Sequence, residues 1–312
     1  TTSNNHNNNN NNTTTSADFL SFAQESEGKE GFTRMGQVLA RAIRTSSTVS
    51  QHDIIVEGIK AAGVISRMLF LQDGALEDEY RHVFRAMAFS YQKCLDKNVE
   101  SFQAHHLSGV CWAFDCLRMN DESIALPDSI AQAYEELNLP FRIRPGFMSN
   151  AARTLEGGEG GQEELTLSNL QSQVQFFRDE IKTTSTGKVV QERRETAWQG
   201  DDHVPGFAYS GKVMDTMPLS PVVRHVRDTL HERTSIKYDC CLLNLYPDGD
   251  SGMRYHSDPD QGELWGYDTC VVSVGASRRF SFREVVDGGE NKNGRPHMFV
   301  VMDGDVTEMN GD

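Results

Sequence analysis

The apolar residues of this chain change their spacing part-way along, and that change limits the fold more than any other feature. Between residues 30 and 140 they recur at the three- and four-residue intervals of helices that bury one face. From residue 188 onward they alternate, as in strands whose side chains point to opposite faces in turn. Between the two regimes lies Glu156-Gly157-Gly158-Glu159-Gly160-Gly161-Gln162, a polar run that suits a flexible linker. The pattern predicts an α+β chain: an all-α domain over 29–147, a linker over 148–164 and a β-rich domain over 165–312. Residues 1–28 open with Asn, Ser and Thr, including unbroken Asn from 7 to 12. Such a segment has too little apolar surface to fold and is expected to be disordered.

Four helices are predicted in the first domain. One covers Asp53–Val64 behind a cap at Ser50, and one covers Asp78–Leu95 with Tyr80, Phe84, Met87, Ala88, Tyr91 and Leu95 along one side. The others are Ala104–Met119 and Pro127–Leu139, the last stopped by Pro140. His105-His106 reads as a polar helix start rather than a metal site, and Trp112 as core rather than a stacking platform. Helices of this length suit a small bundle or α-hairpin repeats. Leu107–Phe114 loosely resembles the repeats of organellar RNA-binding helical arrays, although no repeat period is visible. In the second domain a helix over Leu167–Lys182 carries Leu170, Val174, Phe177 and Ile181 on one stripe, and another covers Pro221–Arg233. Strands are predicted at Tyr238–Tyr246, Thr269–Gly275, Arg279–Glu284 and Met298–Met302, with Gly- and Asp-rich turns between them. Many short strands at this spacing suggest a jelly roll, a rigid funnel with room for a ligand at its mouth.

Composition closes off several classes. A net charge of -15 gives no footprint for wrapping a long nucleic acid, though it leaves room for a pocket that takes one base. The 6 Cys form no CxxC pair and read as reduced, buried small hydrophobes of an intracellular protein. No apolar run reaches the length of a membrane span, and no signal peptide is visible. Oligomeric state leaves no signature.

The chemistry concentrates at His256-Ser257-Asp258. An imidazole and a carboxylate two apart on extended backbone face one side and can grip one cation. With a second His they make the facial triad of non-haem Fe(II) oxygenases. Asn244 and Tyr246 lie two apart on the preceding strand, so an amide and a phenol share a face where they can hydrogen-bond a small carboxylate. Around them stand, in order, Arg194–Asp201 (RETAWQGD), Phe207–Gly211 (FAYSG), Val271–Ala276, Arg279–Arg283 (RFSFR) and Gly304-Asp305.

In this order and spacing the run from about residue 165 to 312 resembles the AlkB family of Fe(II)/2-oxoglutarate dioxygenases, and is most similar to its nucleic-acid demethylases. The resemblance implies a double-stranded β-helix holding Fe(II) and 2-oxoglutarate. It makes His256 and Asp258 two of the three iron ligands and Asn244 and Tyr246 contacts to 2-oxoglutarate. Phe207 and Tyr209 become aromatic groups around a flipped base, and Asp260 an acidic residue near substrate or ligand. The implied reaction couples decarboxylation of 2-oxoglutarate to hydroxylation of an N-methyl group on a DNA or RNA base, lost as formaldehyde. The family's second His and its Arg pair follow the Gly-Asp turn. Here the sequence stops seven residues past Asp305, so the roll is expected to be incomplete at its C-terminal end, as in a fragment. His297 precedes that turn and is a poor third ligand. The alternatives are a catalytically inactive fragment or a helical-repeat protein that binds RNA or protein.

Overall fold

A computed structural model describes residues 51–73, 78–96, 99–148, 154–155, 163–182, 187–209, 212–258, 265–286, 289–290 and 295–310. The Asn-rich opening, the glycine run of the linker and Asp260 lie outside the described residues. Among the described residues the helices are α1 Gln51–Asp73, α2 Asp78–Asp96, α3 Ala104–Arg118, α4 Asp128–Glu136, α5 Leu167–Gln173 and α6 Pro221–Thr234. The strands are β1 Phe141–Arg144, β2 Thr154–Leu155, β3 Glu163–Glu164, β4 Glu180–Lys182, β5 Val189–Gln191, β6 Glu195–Gly200, β7 Phe207–Tyr209 and β8 Lys212–Met214. They continue with β9 Met217–Pro218, β10 Cys240–Leu245, β11 Asp268–Val272, β12 Arg278–Phe282, β13 Val285–Val286, β14 Gly289–Glu290, β15 His297–Val301 and β16 Val306–Asn310. The chain is of mixed helix and sheet class. It divides into two compact units: residues 1–139 with 278–301, and residues 140–277 with 302–312.

In the first unit α1 and α3 pack closely. Val56, Ile59 and Val64 of α1 and Val110, Phe114 and Leu117 of α3 are all buried. Gly63 makes the close approach possible: a Cβ there would stand 2.9 Å from Ala113 Cα. The stripe on α2 holds, with Phe84, Ala88 and Leu95 buried and Met87 and Tyr91 half-buried; the Tyr80 side chain is outside the described residues. Trp112 is core as predicted, 3% exposed and edge-on to Phe299 at 6.0 Å. The hairpin β12–β15, paired from Arg278↔Val301 to Phe282↔His297, clusters with these helices.

The second unit carries two three-stranded sheets, β1-β16-β11 and β10-β6-β9. The first is antiparallel throughout, and the second runs β10 antiparallel and β9 parallel to β6. Its core gathers Leu165, Val174, Ala197, Leu219, Val222, Val223, Leu230 and Val306, with α6 as the principal helix. Buried Asp305 accepts N–H bonds from Gly146 at 2.7 Å and Met302 at 2.9 Å, which fixes the Asp303-Gly304-Asp305 turn. Gly304 sits at φ 82° in that turn, a conformation that suits glycine.

Two sequence expectations fail here. The helix predicted over Leu167–Lys182 stops at Gln173. Val174 turns extended, at φ −115° and ψ 127°, and buries its side chain. Phe177 and Thr196 then exchange backbone bonds of 2.9 and 2.8 Å, and Glu180–Lys182 pairs with Val189–Gln191. Backbone pairing and the burial of Val174 outweigh a weak helical stripe that a short strand can also satisfy. The second failure is omission: β1, β6 and β16 were not expected as strands, yet β6 and β16 are the middle strands of their sheets. Four residues of alternating Phe/Arg/Ile/Arg in β1 are too few to raise a signal alone.

Candidate metal and substrate site

Strand β10 positions the first pair of candidate residues. Its register with β6 sets Leu242 opposite Trp198 and Asn244 opposite Thr196. Cys241 and Leu243 face the core with Ala197. Alternation turns Asn244 to the other face, where it is exposed; Tyr246, just past the strand, is half-buried.

The chain then bends on Asp248, whose Oδ1 accepts from the N–H of Asp250 (3.0 Å) and from the N–H and Oγ–H of Ser251 (both 2.7 Å). The irregular stretch that follows is held by Arg193, which donates to the Asp250 carbonyl at 3.5 Å, and by Arg194, whose guanidinium reaches Met253 Sδ. His256 and Asp258 lie on this stretch, which is not a hydrogen-bonded strand as the sequence suggested. Their side chains nevertheless converge, with His256 Nε2 3.6 Å from Asp258 Oδ1. Donors at ordinary bond lengths in adjacent positions on one cation stand about 3 Å apart, so a small rotation suffices. His256 Nδ1 lies 2.8 Å from the Arg254 carbonyl, which makes Nδ1 the protonated nitrogen and leaves the Nε2 lone pair facing the carboxylate. The Asp258 carboxylate raises the His256 pKa against the opposing effect of burial, with the Arg254 carbonyl adding to the rise. Both side chains are nearly half exposed, at 46% and 47%, so a cation can reach them. The donor pair therefore fits Fe(II). Among the described residues no third His, Cys, Asp or Glu completes a three-donor group with them. His297 is placed in the other unit, its Nδ1 2.8 Å from Ser108 Oγ.

Phe207 is partly buried on the β7–β8 hairpin and stacks on Trp198 at 4.9 Å and 28°. Trp265 closes the group, 5.0 Å from Phe207 and 6.3 Å from Trp198. The Tyr209 side chain and Asp260 are outside the described residues. The hairpin is anchored by Lys212, whose Nζ donates to Asp179 Oδ2 (2.9 Å), Glu192 Oε2 (2.5 Å) and Thr196 Oγ1 (2.8 Å). Sequence reasoning did not foresee this anchor or the part of Trp265. Neither has a spacing that marks it, because their partners come from distant segments.

The profile of the 2OG-Fe(II) oxygenase superfamily matches residues 154–312. An uncharacterised protein of Acanthamoeba polyphaga mimivirus is 30% identical over 142 residues, covering 46% of this chain and 70% of that protein. DNA oxidative demethylase ALKBH2 of Bos taurus is 27% identical over 147 residues, covering 47% of this chain and 52% of that enzyme. Alpha-ketoglutarate-dependent dioxygenase alkB homolog 3 of Homo sapiens is 30% identical over 102 residues, covering 32% and 35%. The chain thus spans about half or less of the length of the named enzymes it matches. With its AlkB-like region, its match over half its length and its converging His256–Asp258 pair, this chain belongs to the 2OG-Fe(II) oxygenase superfamily, dioxygenases that work with Fe(II) and 2-oxoglutarate.

Proposed function

We propose that the protein oxidatively demethylates alkylated nucleic-acid bases. The observation that carries this reading is the convergence of His256 Nε2 and Asp258 Oδ1 at 3.6 Å inside a region similar to DNA oxidative demethylases. When bound, Fe(II) and 2-oxoglutarate would reduce and activate dioxygen, the oxidant for hydroxylation of the N-methyl carbon. His256 and Asp258 hold the metal from one side, the imidazole kept in its ligating tautomer by the Arg254 carbonyl. Asn244 and Tyr246 donate hydrogen bonds to a carboxylate of 2-oxoglutarate. Phe207, with Trp198 stacked behind it, offers a π-face to the base, and the aromatic group keeps water away from it. Tyr209 and Asp260 complete the substrate side, and a double-stranded β-helix over 165–312 frames the site. The helical region over 29–147 is a separate domain in this reading, joined through 148–164.

The test is succinate release from 2-oxoglutarate with an N-methylated oligonucleotide. His256→Ala and Asp258→Ala should each lower turnover by at least about 100-fold, since loss of even outer-shell partners costs 10–100-fold. Turnover equal to the parent in either variant refutes the iron assignment. Turnover without loss of the methyl group refutes the substrate class.

A further inference from the structure

The first unit carries a second donor cluster that the oxygenase reading does not use. Asp53 stands in the first turn of α1, and His105 and His106 in the first turn of α3. One ligand atom from each lies within 4.8 Å of the others. His106 is buried, and its Nε2 is 2.9 Å from Asp53 Oδ1. The His105 and His106 rings are tilted together with centroids 4.0 Å apart. His105 Nε2 is buried with no hydrogen-bond partner. Polar atoms shut away from water are normally satisfied, so an imidazole nitrogen left bare beside a second imidazole and a carboxylate points to a missing ligand.

We propose that Asp53, His105 and His106 bind a divalent transition-metal ion of Zn(II) type, tying the first turn of α1 to the first turn of α3.

The donor set decides the class of ion. Two imidazoles and one carboxylate suit Zn(II), Co(II) or Ni(II), whereas Mg(II) and Ca(II) want oxygen shells. The positive ends of two helices and the Arg295 guanidinium, 2.5 Å from Asp53 Oδ1, oppose a purely electrostatic cation. Coordinate bonds to nitrogen are therefore needed to hold it. Arg295 is 61% exposed and swings into solvent as the metal takes the carboxylate oxygen. His106 Nδ1 accepts a 3.2 Å bond from Gln103 N–H, so its proton sits on Nε2 in the metal-free protein. On ligation through Nε2 that proton moves to Nδ1 and the Gln103 bond is lost. Three protein donors leave one position of a tetrahedral ion to water. Reading the two His as a polar helix start accounts for His106, which serves in the helix cap, but leaves bare His105 unexplained.

The test uses the full 312-residue chain carrying His256→Ala and Asp258→Ala, so that the oxygenase pair cannot contribute. Metal-free protein is titrated with Zn(II), and with Mg(II) as control, by calorimetry. We expect one Zn(II) per chain, no Mg(II), and a Tm rise on the order of a few degrees with Zn(II). Adding Asp53→Asn or His105→Asn should weaken Zn(II) binding at least about 10-fold. If those variants do not fold, histidine-ring nitrogen spectra of the double variant decide: Zn(II) must shift His105 and His106. No stoichiometric Zn(II) in the double variant, unchanged affinity after His105→Asn, or unmoved His105 resonances would overturn the proposal. Each result is independent of succinate turnover, so this site and the demethylase reading fail separately.

Discussion

At the scale of single residues, charge compensation governs the β7–β8 hairpin. Lys212 is 9% exposed and Glu192 3%, and Asp179 shares the same ammonium. Lys212→Met takes from buried Glu192 the nearer of its two cations and leaves it Arg194 Nε at 3.5 Å; removing one partner of a buried pair costs up to about 3–5 kcal/mol. The expected outcome is a loss of that order in urea unfolding, partly restored by adding Glu192→Gln, while Asp228→Asn on the exposed α6 pair with Arg227 moves stability by under about 1 kcal/mol. The cysteines separate by the same logic. Burial pushes the thiols of Cys240 and Cys241 up to about 12 and that of Cys270 to about 11, and Cys111 and Cys116 are buried in the helical unit. Alkylation follows the thiolate. Iodoacetamide at pH 8 followed by peptide mass mapping should therefore label exposed Cys94 first and leave the other five largely intact until the protein unfolds. The convergence of His256 with Asp258 was legible at this scale because two residues on one short segment carry their own geometry. The Lys212 anchor was not legible, because its partners stand 33, 20 and 16 residues away.

Among elements, α2 and α3 declared themselves, whereas α1 runs nine residues past the Val64 predicted for its end and many short strands were missed. α2 and α3 begin where the apolar stripes predict and end within one residue of them, since each buries a continuous face. The stripe behind α5 was a poor guide because four apolar residues at helical spacing also permit one helical turn followed by strand pairing. β16 escaped notice because Val306–Asn310 has no alternation of its own and is fixed by neighbours on both sides. Two substitutions probe how tightly the elements are seated. Gly63→Val should destabilise the first unit by about 1–3 kcal/mol, since the α1–α3 crossing has no space for a side chain at 2.9 Å from a backbone atom. Ser235 closes α6 in the left-handed region at φ 62°, where a Cβ is strained. Ser235→Gly should raise stability by roughly 0.5–1 kcal/mol in thermal or urea unfolding. A loss there would mean that the cap is held by something other than backbone conformation.

For the whole molecule, charge constrains how a nucleic acid is engaged. A protein at -15 pays repulsion along every additional phosphate it approaches, so extended tracking of a duplex is disfavoured. A site that takes one base needs few phosphate contacts, and its affinity comes from stacking and from the shape of the pocket. Salt dependence separates these two modes. On a single strand, one or two neutralised phosphates give a slope of about -0.7 to -1.4 in log affinity against log salt, so raising salt from 50 to 200 mM weakens binding roughly 3- to 7-fold. Six or more contacts would cost about 300-fold or more over the same range. Fluorescence anisotropy with a short single-stranded oligonucleotide carrying one N-methylated base should give the shallow slope, and Phe207→Ala should lower affinity by about 1–3 kcal/mol without altering that slope. A steep slope would move recognition from the aromatic group around Phe207 to a basic surface elsewhere on the chain. A Phe207→Ala variant that binds as tightly as the parent would assign the Trp198–Phe207–Trp265 stack to folding alone.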